Sequence, residues 1–149
     1  MTQTTKPKTS LYDRDLNLWL ETAIAQLRAG DFQNLDVENL IEELEGLAGR
    51  DKRELKSRLR TLLEHLLKRM YVNMPDCFNG WENTIREQRS QLEDIIDQSP
   101  SLKAVWDRTF NNALASALKN VRDEYPQQQF PDKWQFSRDI DAMLNIKFW

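Results

Sequence analysis

Apolar residues recur every three or four positions along every long segment of this chain, and no segment sustains the alternation of a β-strand. A period of three to four places such residues on one face of a helix. Only four glycines occur in 149 residues, too few for the many tight turns of an all-β fold. The sequence therefore predicts an all-α fold.

Two residues with known roles at helix ends delimit the first two helices. The first helix is predicted over residues 13–29 and stops at Gly30, because glycine accepts the left-handed conformation that closes a helix. Asp36 is a good N-cap for the second helix, since its carboxylate can accept the unpaired first amides. The apolar faces expected to pack are Leu16, Trp19, Leu20, Ala23, Ile24 and Leu27 in the first helix and Val37, Leu40, Ile41, Leu44, Leu47 and Ala48 in the second.

The connection between the second and third helices allows two interpretations. A third apolar stripe, rich in leucine, begins just after Asp51 and continues to Met70. Gly46 and Gly49 weaken a helix at this junction without forbidding it. The two stretches therefore form either two helices that separate at Gly49 or one long kinked helix.

Turn and cap signals divide the second half of the chain. Residues 74–80 are predicted to be a turn, and a fourth helix opens at Trp81. Ser99 and Pro100 predict the start of a fifth helix, because serine caps and proline suits the first helical position. A proline-containing loop over residues 125–134 precedes a short last helix, which Ser137 can cap.

Antiparallel helices joined by short loops, each with one apolar stripe, predict a helical bundle. We expect a single-domain antiparallel bundle of about five helices plus a short C-terminal helix over residues 11–149. The polar residues 1–10 are expected to be a disordered tail.

Composition narrows the class of protein. With 40% hydrophobic and 30% charged residues, the balance is that of a globular chain, not of a disordered one. The single cysteine, Cys77, cannot form an internal disulfide, which predicts a cytoplasmic protein. No apolar run approaches the roughly 20 residues needed to cross a bilayer, and the N-terminus lacks the apolar centre of a secretion signal. We therefore expect no membrane association.

The net charge of −3 hides a segregation along the chain. Residues 31–47 contain six acidic residues and no basic one, whereas residues 50–69 contain eight basic and three acidic residues. Such segregation can mark a partner-binding surface. The simpler interpretation is that acids collect at helix starts and bases at helix ends, as the helix dipole favours.

Several segments together resemble a known bacterial family, named domain of unknown function 29. They read LYDRDLNLWLE, LDVENLIEELEGLAG, LLEHLLKRMY and W…IREQRSQLEDII…SPSL. The similarity covers nearly the whole chain, from Leu11 to about Tyr125, with a match of the tail after that. The resemblance implies a small helical protein and implies no reaction, cofactor or substrate. The matching positions include Trp19, Glu42, Glu43, His65, Lys68, Trp81, Arg86, Arg89 and Ser99 to Ser101.

The fourth helix carries an anomaly, because Gln88 and Arg89 fall inside its apolar stripe. A guanidinium directed at the core needs a carboxylate partner, since burying it unpaired is very costly. We predict that Arg89 pairs with Glu43, with Glu42 or Glu45 as substitutes. Arg89 then forms a structural ion pair that fixes helix register, or packs its stem while its head reaches water, or belongs to a site for a carboxylate or phosphate ligand.

His65 is the only histidine, so no second histidine can share a catalytic or metal site with it. It can act as a general base near neutral pH, or it is simply a polar residue at the edge of the leucine stripe. One histidine and one cysteine are too few for a zinc site, and the paired Glu-x-x-His motifs of di-iron bundles are missing. We expect no metal ion and no cofactor.

The segment over residues 50–60 is the best candidate for nucleic-acid contact. Arg50, Arg53, Lys56 and Arg60 are helically spaced and could face phosphates. Acidic residues interleave with them, which favours an ordinary solvated helix face. Nucleic-acid binding is therefore the third of our hypotheses.

The C-terminal residues IKFW leave two interpretations open. Trp134 and Trp149 lie near this end, and the tail either folds back on the bundle or offers an apolar patch to a partner.

The leading hypothesis is a cytoplasmic helical interaction or accessory protein without catalysis of its own, acting on a protein partner. The alternative is a ligand-binding or enzymatic bundle with a site between the second, third and fourth helices, and the sequence does not decide between these classes. Nor does it decide the oligomeric state, for which a dimer is one option. The candidate site residues, for a ligand or an ion pair, are Glu42, Glu43, His65, Arg86 and Arg89.

Overall fold

The computed structural model describes residues 10–149, and within them it contains six α-helices, one 3-10 helix and no strand. The prediction of an all-α helical bundle is confirmed. No helix within these residues combines the length and the apolar character that a membrane crossing requires. The helices are α1 (Leu11–Arg14), α2 (Leu16–Ala29), α3 (Val37–Tyr71), α4 (Pro75–Gln98), the 3-10 helix (Pro100–Val105), α5 (Trp106–Glu124) and α6 (Ile140–Asn145).

The chain divides into two compact units. The first extends to Gly49, and the second comprises Arg50–Trp149. The expectation of a single domain over residues 11–149 stays a prediction. The disordered tail expected over residues 1–10 lies outside the described residues, except for Ser10.

The first unit begins with two helices where one was predicted. Ser10 caps α1 by accepting a hydrogen bond from the Asp13 amide (3.3 Å). Asp15 then interrupts the helix and caps α2, because its carboxylate accepts from the Leu18 amide (3.0 Å). The predicted stop at Gly30 is present, with φ of 71°.

The helix α3 is continuous over 35 residues, so the one-helix interpretation is the one that the structure shows. Its start follows the prediction, since the Asp36 carboxylate accepts a hydrogen bond from the Asn39 amide (3.4 Å). Neither Gly46 nor Gly49 ends it.

The core of the second unit is built around the leucine stripe of α3. Six of its leucines are almost completely buried and pack with the apolar faces of α4 and α5. Phe130 from the following loop and Met143 of α6 complete this core. The stripe consists of Leu55, Leu59, Leu62, Leu63, Leu66 and Leu67.

The helices α4 to α6 begin at other residues than predicted. The turn expected over residues 74–80 is instead the first part of α4, which starts at Pro75, where the missing amide hydrogen costs no helical bond. Ser99 does not cap the next element through its side chain; its hydroxyl donates to the Asp51 carboxylate (3.3 Å). Pro100 opens the 3-10 helix, and α6 begins at Ile140, three residues after Ser137.

The C-terminal residues fold back on the second unit. Phe148 and Trp149 are partly buried and pack against its core. The ring of Phe148 lies 5.3 Å from that of Trp134 in an edge-to-face arrangement, and Trp134 in turn contacts Phe110. Of the two interpretations of the IKFW tail, docking on the chain is therefore the observed one.

Replacement of Gly46 by alanine tests the continuity of α3. A Cβ at this position meets no atom within 4 Å, and alanine is the better helix former. We expect Gly46→Ala to raise the free energy of unfolding by about 0.5–1 kcal/mol, measured by urea denaturation.

The matched control is Gly30→Ala. Its Cβ also meets no atom within 4 Å, but φ there is +71°, a conformation that costs alanine roughly 1 kcal/mol. Opposite signs for the two substitutions support the continuous helix. Destabilisation by both would mean that the chain turns at Gly46.

Candidate functional site

The five predicted site residues are distributed over both units. Glu42 and Glu43 lie in the first unit, on α3. His65, Arg86 and Arg89 lie in the second unit, on α3 and α4. The site built from all five stays a prediction, so each residue is described by the contacts that it makes inside its own unit.

Glu43 joins α3 to α1 within the first unit. Its carboxylate accepts a hydrogen bond of 2.5 Å from the Tyr12 hydroxyl. That bond stabilises the neutral phenol and raises the pKa of Tyr12 to about 12. The Tyr12 ring packs edge-to-face on Trp19 at 4.8 Å, and the Trp19 indole donates to Asp36 (3.3 Å). Glu43 therefore links α3 to α1 within this unit.

Arg89 binds the carboxyl end of α6. Its Nε donates to the Met143 carbonyl (2.8 Å) and its Nη2 to the Ile146 carbonyl (2.5 Å). These carbonyls belong to the negative end of a helix, which attracts a cation. The guanidinium carbon also lies 5.9 Å from the Trp149 ring, and burial lowers the pKa of Arg89. The pairing of Arg89 with Glu43, a residue of the other unit, stays a prediction.

His65 and Arg86 make only local contacts among the hydrogen bonds of the described residues. His65 is half-buried, and its Nδ1 donates to the Thr61 carbonyl one turn earlier (2.8 Å). A carbonyl can only accept, so this bond leaves Nε2 as the acceptor of the neutral ring. Burial lowers the pKa of His65. Arg86 is exposed and donates to Asn83 on the same helix.

Lys68 is a residue whose environment the sequence did not suggest. It is buried, its ammonium lies 3.3 Å from the Glu124 carboxylate, and it stands 5.6 Å from the centre of the Trp81 ring. The helical period places Lys68 outside the leucine stripe of α3. Only the packing of α4 and α5 against α3 creates this environment, so no periodicity in the sequence could have revealed it.

The first unit leaves most of its large apolar side chains exposed. Its only buried apolar residues are Trp19 and Ala23, among the described residues. Leu44 is 56% exposed and Phe32 64%. We call the following set the acidic apolar surface: Leu16, Leu18, Ile24, Leu27, Phe32, Val37, Ile41, Leu44 and Leu47.

The polar residues around this surface are mainly acidic. Residues 10–49 contain nine acidic residues and two basic ones, an excess of seven negative charges. On α3, Val37, Ile41 and Leu44 share one face at about 100° per residue, and Glu38 and Glu45 fall on one edge of it. The surface therefore combines apolar area with negative charge. Within residues 10–149, no group of three or more histidine, cysteine, aspartate or glutamate residues is placed to hold a metal ion.

Comparison with protein families matches residues 11–149 to the family described as Domain of unknown function DUF29. The chain belongs to this family. The match continues past Tyr125, and so the C-terminal segment that Arg89 holds is part of the DUF29 domain. Comparison with curated proteins and with solved structures gives no match.

Removal of the Arg89 guanidinium tests its contact with α6. Arg89→Met deletes two charge-assisted hydrogen bonds, and we expect the free energy of unfolding of this DUF29 protein to fall by about 2–4 kcal/mol in urea denaturation. Arg86→Met removes the same charge from the same helix at an exposed position, and we expect a change within about 0.5 kcal/mol. Equal effects of the two substitutions would contradict a specific role for Arg89.

The environment of His65 predicts a dependence of stability on pH. Because burial lowers its pKa below the ordinary 6.5, the unfolded chain binds the proton at a higher pH than the folded chain does. We therefore expect stability to be full above about pH 6.5 and to fall as the pH drops through the folded pKa.

Since the chain has one histidine, NMR of its ring protons gives the pKa directly, and the value should lie below 6.5. The stability difference between the wild type and His65→Gln should shrink between about pH 7.5 and pH 5.5. A measured pKa above the ordinary value would contradict the inferred burial.

Proposed function

We propose that this DUF29 protein is a non-catalytic interaction protein whose acidic apolar surface binds a basic amphipathic helix of a protein partner. The observation that carries the proposal is the exposure of nine large apolar side chains between Leu16 and Leu47. Exposed apolar side chains in such number on one small unit support an interaction site.

The spacing of the exposed residues suits a helical ligand. Val37, Ile41 and Leu44 follow one another at four and three positions along α3, and Ile24 and Leu27 are three apart on α2. Apolar rows of this kind can receive the apolar face of an amphipathic helix, which anchors through residues one turn apart. The shape of the apolar rows therefore supports a helix as the occupant.

The charge of the surface supports a basic ligand. The excess of seven negative charges over residues 10–49 attracts cations, and complementary charge speeds and orients association. A helix with lysine or arginine beside its apolar face would place them near Glu38 and Glu45.

A second copy of the chain is the less favourable occupant. Two such surfaces facing each other would bring acidic residues against acidic residues, and like charges across an interface cost several kcal/mol. We therefore commit to a partner of opposite charge. We also propose that the protein works in the bacterial cytoplasm, which the family resemblance and the unpaired thiol of Cys77 support.

Titration with synthetic helical peptides tests the proposal. The probes are a fluorescent amphipathic peptide of leucine and lysine, the same peptide with glutamate for lysine, and a leucine–lysine peptide whose order destroys the apolar face. We expect the full chain to bind the first probe most tightly, with an affinity that falls as salt is added.

The variant Ile41→Ser/Leu44→Ser should weaken this binding by at least about tenfold, because burial of one leucine stabilises a contact by about 1.5–3 kcal/mol. Met74→Ser is the matched control, since Met74 is 42% exposed but lies in the second unit. Equal binding of all three peptides would contradict the proposal. So would a dimer in sedimentation equilibrium that Ile41→Ser/Leu44→Ser dissociates, because a second copy would then occupy the surface.

A further inference from the structure

A cleft of about 550 Å³ in the second unit gathers three arginines. Six of its lining residues lie on α3 at successive spacings of one or three positions, so they share one face of the helix. The seventh, Gln88, comes from α4. We call this set the arginine cleft: Arg50, Arg53, Glu54, Ser57, Arg58, Thr61 and Gln88.

Two contacts hold Arg58 in place within the arginine cleft. Its Nε donates to the Glu54 carboxylate at 3.0 Å, and its Nη1 donates to the Gln88 side-chain carbonyl at 3.3 Å. These bonds occupy two of the five N–H donors of the guanidinium. Arg58 is thus oriented before any ligand arrives, which lowers the entropy that binding must remove.

Gln88 is one of the two polar residues that fall inside the apolar stripe of α4, and its contact with Arg58 explains its place there. Arginine only donates, so Gln88 presents its carbonyl oxygen to Arg58 and retains its amide –NH₂ as a donor. An apolar residue at this position could neither orient Arg58 nor donate to a ligand.

The charge of the lining selects the ligand. Three arginines and one glutamate leave an excess of two positive charges in the arginine cleft. A phosphate monoester carries nearly two negative charges at neutral pH and offers three acceptor oxygens that match guanidinium donors. The Ser57 hydroxyl lies on the same face and adds a neutral donor. The volume lies within the range of small-molecule sites, about 300–1,000 Å³.

We propose that the arginine cleft binds the phosphate monoester group of a small molecule. The site is independent of the acidic apolar surface, which lies in the other unit. Nucleic acid is the less favoured ligand, because each of its phosphodiesters carries one charge and a strand would also contact exposed basic residues outside the cleft. Lys56 is such a basic residue: it is exposed on α3 but does not line the cleft.

Titration of the full chain with phenyl phosphate, followed by NMR of backbone amides, tests this proposal. Inorganic phosphate, diphenyl phosphate and sulfate at equal ionic strength are the comparison ligands. We expect phenyl phosphate to shift the amides of Ser57, Thr61 and Gln88 in a saturable way. Diphenyl phosphate, which carries a single charge, should bind at least about tenfold more weakly.

Two variants that each remove one positive charge from α3 locate the site. Arg53→Gln changes an exposed residue of the arginine cleft and should weaken phenyl phosphate binding by about tenfold. Lys56→Gln removes a charge of the same sign three residues later and should change the affinity less than about twofold. Unchanged amide spectra of both variants elsewhere would show that the fold is intact.

Three results would overturn the proposal. The first is no saturable shift with phenyl phosphate at millimolar concentration. The second is equal weakening by Arg53→Gln and Lys56→Gln, which would mean a diffuse positive potential. The third is tighter binding of a single-stranded oligonucleotide than of phenyl phosphate, with Lys56→Gln reducing it, which would assign the basic face of α3 to nucleic acid.

Discussion

The burial of one leucine stripe is the interaction on which the rest of the second unit depends. The six leucines of α3 between Leu55 and Leu67 are nearly inaccessible, and α4 and α5 pack over them. At about 1.5–3 kcal/mol for each fully buried leucine, this stripe outweighs any polar contact in the unit. The first part of α3 has a stripe of the same period, but Ile41, Leu44 and Leu47 are exposed. One continuous helix therefore contributes a core in one unit and an apolar surface in the other.

Polar side chains at the margin of this core contact backbone carbonyls and aromatic rings as well as residues of opposite charge. Arg89 donates to two carbonyls at the end of α6, and His65 donates to a carbonyl one turn back. Lys68 lies against Glu124 and the Trp81 ring. Such contacts give a partly buried donor a partner without removing a carboxylate from water, which would cost free energy. They explain how a helical protein can bury several polar groups beside an apolar core.

The limits of sequence reasoning follow from which interactions are local. Gly30 and Asp36 were predicted as helix ends because both act on amides or dihedral angles within a few residues. Pro75 was missed, since a proline suits both a turn and a first helical turn. For the candidate site, the sequence marked Gln88 and Arg89 as out of pattern but not their partners. Those partners, Arg58 and the carbonyls of α6, are 30 and more than 50 residues away.

The sequence by itself determined the all-α class and the main apolar faces, because helical period, caps and glycine act over a few neighbouring residues. Its resemblance to DUF29 was confirmed over residues 11–149. Only the tertiary structure decided which apolar faces are buried: the leucine stripe of α3 becomes core, whereas the equally periodic faces between Leu16 and Leu47 stay largely exposed. It also decided that Arg50, Arg53 and Arg58 share a cleft with Gln88. The period of a helix specifies which residues share a face, but what covers that face depends on contacts between residues far apart in the chain.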